Sequence, residues 1–411
     1  TSYNPETDAD NLFSSANTIL IETEDGFYWS SAANFYLLFY DNALEEMIPV
    51  CSRPECEHFP GSNVMPQNFD CDAYLEAGRH PALYQGKIYY TDSRFGKPNP
   101  NIGGDRLGAR LMRMNPDGTG KEFIKDLFPS GYGDPQWLIL HRGNLYGMSI
   151  ENDVDKDGAV IGKTSIVVIP IEGQETTFKT IYEIDCTGWG SMRFIGDYCY
   201  FWINYQEGDY YINEHTGEVI DEQVSGGVAG RWSSVADETE ILYQGNLPKD
   251  EAFYMNAWVE QDGTFYVPSS LGLIELEDGE LTVVQSFEEE GKEFVDVQVS
   301  DCIAIARTVP AAEPFGECEI WVCRFDGSTV YKGPLPLDWF YEDPAFESSG
   351  VAPRTFSFAT VVGDETGLWC EFVCVWPMVG NANYLVRFDF ADGGIQAKLY
   401  GSFIRLIDFG D

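Results

Sequence analysis

Apolar residues along the chain fall in short runs separated by turn residues, and the longest of these, such as 166–170, are strand-sized. Through them one unit recurs: an apolar run, a glycine-containing turn, an aromatic strand, a variable loop, then two more strands. The turn and its aromatic strand align as DGFYW (25–29), QGKIYY (85–90), RGNLYG (142–147), GDYCYF (196–201), DGTFYV (262–267), SDCIAI (300–305) and DETGLWC (364–370). A second turn follows in several units, as NPDGTG (115–120), EDGE (277–280), FDGST (325–329) and ADGG (391–394). Asp-Gly between alternating strands marks a hairpin, so each unit reads as four antiparallel strands. Seven units in 411 residues leave about 59 residues for each, more than the roughly 40 to 50 of familiar blade repeats, with loops taking up the excess.

The pattern predicts an all-β, seven-bladed β-propeller of four-stranded antiparallel blades, with the blade count fixed to within one. A β-sandwich or two tandem β domains would also show turn-separated strands. Neither calls for the same aromatic strand after the same tight turn in every unit, whereas radial sheets pack a bulky face on each neighbour at an equivalent position. Residues 1–16 read as a polar N-terminal linker and 17–411 as a single propeller domain. Ring closure is expected between 17–21 and 403–409, so that no open strand edge remains.

In a four-stranded blade the first and third turns open on one face, and the second loops and blade connections open on the other. First turns here are short and glycine-rich, while second loops run long at 91–108, 151–163, 306–317 and 376–382. Function is therefore expected on the long-loop face. Arg79, His80, Trp137, Trp189, Trp258 and Arg354 stand just ahead of innermost strands and are the candidate binding residues there. Tryptophans at such positions serve as platforms for glycans or peptides, or else pack between blades.

Composition narrows the partners. With 25 Lys+Arg against 67 Asp+Glu the net charge is −42, which excludes most nucleic-acid binding and repels anionic lipid. No stretch approaches the roughly 18 apolar residues of a membrane span. The polar start and the acidic surface fit an extracellular or surface-anchored protein, its export signal lying upstream of Thr1, and a monomer is expected.

The most specific local signal is Cys51-x4-Cys56-x-His58-x12-Cys71, in a segment with no strand pattern between the first two units. Three thiols and an imidazole are a recognised tetrahedral zinc set, and a structural zinc would fix a long irregular connection. The competing reading is a disulfide between two of these cysteines. The remaining cysteines sit in or beside apolar strands and read as buried. A second, weaker ion signal is Asp153-x-Asp155-x-Asp157-Gly158. Alternating carboxylates before a glycine turn begin a calcium loop, but Thr164 and Ile161 occupy the positions that would complete it.

The cysteine segment, followed by Ala73, together with the NPDGTG hairpin, resembles the TolB-like propellers of secreted bacterial lipoproteins of unknown function. The resemblance implies a cell-surface propeller and implies no activity; it departs in that no lipid-attachment cysteine stands near Thr1. Catalytic motifs do not strengthen an enzymatic reading. Four histidines leave few candidates for a nucleophile–histidine device, and neither a G-x-S-x-G elbow nor a phosphate loop is present. The sequence points to a non-catalytic propeller binding a glycan, peptide or protein. The alternative is a carbohydrate-active propeller, hydrolase or lyase, whose two carboxylates would have to be sought among 67.

Overall fold

Alternation along the aromatic strands sends neighbouring side chains to opposite faces of a sheet, and here both faces are apolar. In the strand Gly26–Ser31, Phe27 and Trp29 pack to one side and Tyr28 to the other, all buried. A sheet apolar on both faces needs a neighbour on each, and a ring of sheets supplies two to every member.

The computed structural model describes residues 3–13, 18–31, 36–56, 58, 71–75, 81–95, 106–127, 136–154, 160–173, 175–207, 210–212, 219–221, 224–247, 256–269, 272–287, 292–301, 303–310, 318–341, 355–376 and 380–406. Among them are seven four-stranded antiparallel sheets, spanning 18–49, 82–126, 136–184, 187–246, 258–286, 292–334 and 355–406. The fourth carries an inserted two-stranded hairpin, Tyr210–Ile212 with Val219–Asp221. Seven apolar clusters each span two consecutive sheets. The cluster of Tyr28, Leu37, Ile88 and Tyr90 joins the first to the second, and that of Ile305, Ile320, Phe358 and Phe372 joins the sixth to the seventh. The sheets are the blades of a β-propeller, as the repeat predicts.

Ring closure differs from the expectation. The first strand, Thr18–Glu22, pairs with Gly26–Ser31, and the last, Gly394–Leu406, pairs with Gly380–Ala391, so each stays in its own sheet. Sheets one and seven meet instead through side chains. Phe27 lies 4.6 Å from Trp369 and 5.6 Å from Tyr400, and Tyr40 lies 4.7 Å from Tyr400 between ring centroids. Each sheet already has its four strands, so closure needs no shared one.

The predicted turns are where the repeat places them. Gln85-Gly86 and Arg142-Gly143 have consecutive positive φ angles of 47° and 70°, and of 46° and 72°, the geometry that suits a tight hairpin. Asp278-Gly279 and Asp392-Gly393 repeat it in second turns. The second loops differ from the expectation. Much of each is ladder: Glu151 pairs with Lys163 and Val154 with Val160, Phe95 with Arg106, Thr308 with Glu319, and Trp376 with Gly380. Residues expected as irregular loop therefore extend the second and third strands into long hairpins on that face.

Candidate metal centre and channel mouth

The connection between sheets one and two brings the sequence-predicted ligands to one point. Ligand atoms of Cys51, Cys56, His58 and Cys71 all lie within 4.8 Å of one another, and Cys71 Sγ is 3.5 Å from His58 Nδ1. Zinc–sulfur bonds of about 2.3 Å in a tetrahedron put ligand atoms about 3.8 Å apart, so a small contraction would complete a four-coordinate site. A disulfide would instead bring two sulfurs to about 2.04 Å, and all three cysteines are free thiols. The four donors thus fit a closed, structural ion rather than a catalytic one, which would keep a position open.

The thiols differ in their surroundings. Burial pushes the Cys51 thiol up, but hydrogen bonds from the backbone of Arg53 and Asp72 and from the neighbouring cysteines outweigh it and hold Cys51 below its ordinary value. Cys71 is buried, and burial, with Cys56 and Cys51 adding to it, pushes its thiol up to about 12. A cation at the centre would favour the thiolate at each. Around the ligands, Asp72 Oδ2 lies 3.8 Å from Cys51 Sγ, accepts a hydrogen bond from Ser52 Oγ at 3.4 Å and faces Arg53 Nε at 3.6 Å. That carboxylate and guanidinium are positioned to orient the ligand loop.

The loop is also clamped from outside. Residues 36 and 74 form an isolated bridge, and Leu37 N–H donates to Ala73 O. The NPDGTG turn of sheet two presses on it: a Cβ on Gly118, whose φ is +84°, would stand 2.3 Å from Val50 O and 3.3 Å from Asp72 Cβ. Lys121 Nζ donates to Tyr74 O at 2.9 Å, and Tyr28 Oη donates to Pro116 O at 3.1 Å. The hairpin motif and the cysteine segment, 44 residues apart between Cys71 and Asn115, are therefore parts of one assembly. Gly118 and Pro116 are residues the sequence reading assigned to a turn alone, and Lys121 follows that turn.

A second arrangement was not legible in the sequence. Residues 3–13, expected as a linker, lie across the mouth of the central channel on the face of the first turns. Arg142 grips Asp8 with two nitrogens, Nε to Oδ1 at 2.7 Å and Nη2 to Oδ2 at 3.2 Å, and its third nitrogen pairs with Asp197. His141 Nδ1 accepts the Ala9 N–H at 3.0 Å while Nε2 lies 3.0 Å from Gly196 O, which fixes the Nε2–H tautomer. The imidazole is buried and stacked 4.6 Å from Phe194. Burial lowers its pKa, against opposing contributions from Gly196 O and the Asp8 and Asp197 carboxylates. Asn11 donates to Phe194 O at 2.8 Å and accepts Phe194 N–H at 3.2 Å, and Arg193 Nη1 donates to Asn11 O at 2.7 Å. Leu12 packs against the clusters of sheets seven and one and of sheets five and six, and Ala9 against that of sheets three and four.

Two cavities flank this segment, of about 170 and 190 Å³. The first is bordered by inner strands of sheets one to three, the second by Arg193, Trp258 and Asp301 of sheets four to six. Asp10 is solvent-exposed as a residue but borders both cavities, and desolvation of its carboxyl raises its pKa. Arg193 is fully buried beneath the segment with its guanidinium 4.5 Å from the Trp258 ring; burial brings its pKa down to about 10, with Asp301 and Asp10 opposing.

Of the six candidate binding residues, Trp189 and Trp258 have described side chains. Trp258 is buried at the first-turn mouth, beneath Arg193, on the face opposite to the one expected. Trp189 is 37% exposed on the strand Thr187–Ile195. Trp137 belongs to the strand Gln136–His141, its side chain outside the described residues, and Arg79, His80 and Arg354 lie outside them altogether. Of the calcium candidates, Asp153 is in the ladder opposite Ile161, while Asp155 and Asp157 lie outside the described residues.

No protein-family model matches the chain, and no curated protein sequence does. Among solved structures it is similar to oligopeptidase B from Trypanosoma brucei, at 10% identity and a TM-score of 0.47 over 98% of this chain and 50% of that one. It is similar also to an acylaminoacyl peptidase from Pyrococcus horikoshii, at 12% identity and 0.42 over 79% and 46%. A third likeness is to apo AztD from Citrobacter koseri, at 11% and 0.33 over 78% and 86%. The chain spans about half the length of the two peptidases it matches.

Proposed function

We propose that the chain is a non-catalytic β-propeller of the cell exterior that binds a glycan, peptide or protein partner through the face of its long hairpins. The observation that carries this reading is the occupied channel. Residues 3–13 lie across the first-turn mouth with packed and hydrogen-bonded side chains, and the acids there face arginines: Asp8 is gripped by Arg142, while Asp10 and Asp301 act on the buried Arg193. On the opposite face the second and third strands are extended as long hairpin ladders. The acidic composition and the resemblance to TolB-like secreted lipoproteins support an exterior location.

In this reading Cys51, Cys56, His58 and Cys71 hold a structural zinc, which orders the connection leading into sheet two and leaves the chemistry of the faces to other residues. Incubation of the purified chain with a panel of glycans, cell-wall fragments and peptides tests the function, reading retention and product masses together. Retention without new masses is the expected result. New product masses would replace this reading with a carbohydrate-active enzyme.

A further inference from the structure

Residues 8–13 are bound to the ring in the way a peptide ligand is bound by a receptor. Each polar contact reads a distinct group: Arg142 the Asp8 carboxylate, His141 the Ala9 N–H, Phe194 the Asn11 side-chain amide from both its backbone atoms, and Arg193 the Asn11 carbonyl. The bidentate guanidinium–carboxylate pair selects planar acids, and the Asn amide copies the donor–acceptor pair that a neighbouring strand would offer. Charge agrees. Residues 3–13 hold three acidic side chains and no Lys or Arg, and they meet two arginines in a chain of net charge −42.

Little of the ring's apolar core comes from the segment. Of the buried members of the seven inter-sheet clusters, only Phe13 comes from it. The flanking cavities also leave its sides unpacked. From these contacts we infer that the first-turn mouth of the channel is a peptide-recognition site, filled in cis by residues 8–13, that takes an acidic Asp-x-x-Asn segment of a partner protein when its own segment is displaced. Being part of the same chain places the resident segment at an effective concentration on the order of millimolar, so it masks the site against weaker competitors.

The probe is a fluorescent peptide of residues 4–13, NPETDADNLF, titrated into the full chain and followed by anisotropy. A double variant, Asp8→Ala with Asn11→Ala, weakens the resident segment and is expected to bind the peptide at least about tenfold more tightly than wild type. Adding Arg142→Ala to that variant should abolish binding, and a peptide carrying the same two alanines should not compete. No binding to the double variant up to about 1 mM, with its thermal midpoint at the wild-type value, overturns the proposal. Binding that survives Arg142→Ala overturns it too. Should the double variant fold poorly, hydrogen exchange on wild type decides: the Ala9 amide is expected to exchange by local opening, well ahead of the central ladder Tyr198–Glu207. Exchange of both only through global unfolding refutes a displaceable segment.

Discussion

Two irregular segments of this propeller are held in place by opposite means. The connection carrying Cys51 to Cys71 gathers four donors onto one point, a single ion-sized centre. The segment 3–13 is held by separate hydrogen bonds distributed over sheets three and four and by the apolar side chains of Ala9, Leu12 and Phe13. A centre shared by four ligands is lost as a unit when any one is removed, whereas a distributed set loosens contact by contact. That difference sets how each region should fail.

The largest effect is expected at the centre. Cys71→Ser should lower bound zinc from about one per chain to less than about 0.2 and destabilise the fold by more than about 3 kcal/mol, read by metal analysis and denaturant unfolding. Zinc retained at full stoichiometry would contradict the four-ligand reading. Next comes Gly118→Ala. Its left-handed backbone and its approach to Val50 O predict a loss of about 2–3 kcal/mol together with faster zinc loss to a chelator, although Gly118 is no ligand. A stability loss without faster zinc release would separate the turn from the centre.

At the channel mouth the effects should be smaller and local. Arg142→Ala is expected to cost about 1–2 kcal/mol, appearing as faster exchange of the Ala9 amide with little change in the ladders. The smallest effect is that of pH. Burial lowers the pKa of His141, so its neutral form stabilises the docked segment fully above the ordinary histidine value of about 6.5; this contribution is lost as pH falls through the lower folded value. Asp8 follows at lower pH. Burial raises it, but Arg142, Asn4 N–H and Thr7 together hold it below its ordinary value, so its contribution is present above about 3.9 and lost as pH falls through the folded value. Limited proteolysis of 3–13 across that range should show loosening in this order. Loosening on raising the pH toward neutrality would reverse the sign and exclude His141 as the acceptor.

The contrast also explains what the sequence could reveal. The seven blades were legible because each hairpin is announced by neighbouring residues, such as Gln85-Gly86 or Asp392-Gly393, whose positive φ angles need that chemistry locally. Cys51, Cys56, His58 and Cys71 were legible for the same reason, their spacing being short. The segment 3–13 was not. Its partners stand 132 to 183 residues away, at Ala9 to His141 and Asn11 to Phe194, and a polar stretch looks the same whether it is docked or free. Trp258 was misplaced on related grounds, since the two-residue strand Trp258–Val259 puts it beside the first turn of its blade, at the mouth opposite to the one expected. The hairpins were underestimated because consecutive polar residues such as Glu151, Asn152 and Asp153 continue a ladder without continuing the apolar pattern.

Closure by side chains rather than by a shared strand has a consequence for how the ring assembles. Each sheet is a local meander that can complete its hydrogen bonds from its own stretch of chain, so the blades can form one after another as they leave the ribosome. The last step is then the meeting of two finished surfaces, Phe27 and Tyr40 against Trp369 and Tyr400, and no strand has to be threaded into a sheet already formed. Such a seam resembles the other six in kind, so the polypeptide could be opened between other blades and rejoined at this one without altering what any single blade must do to fold.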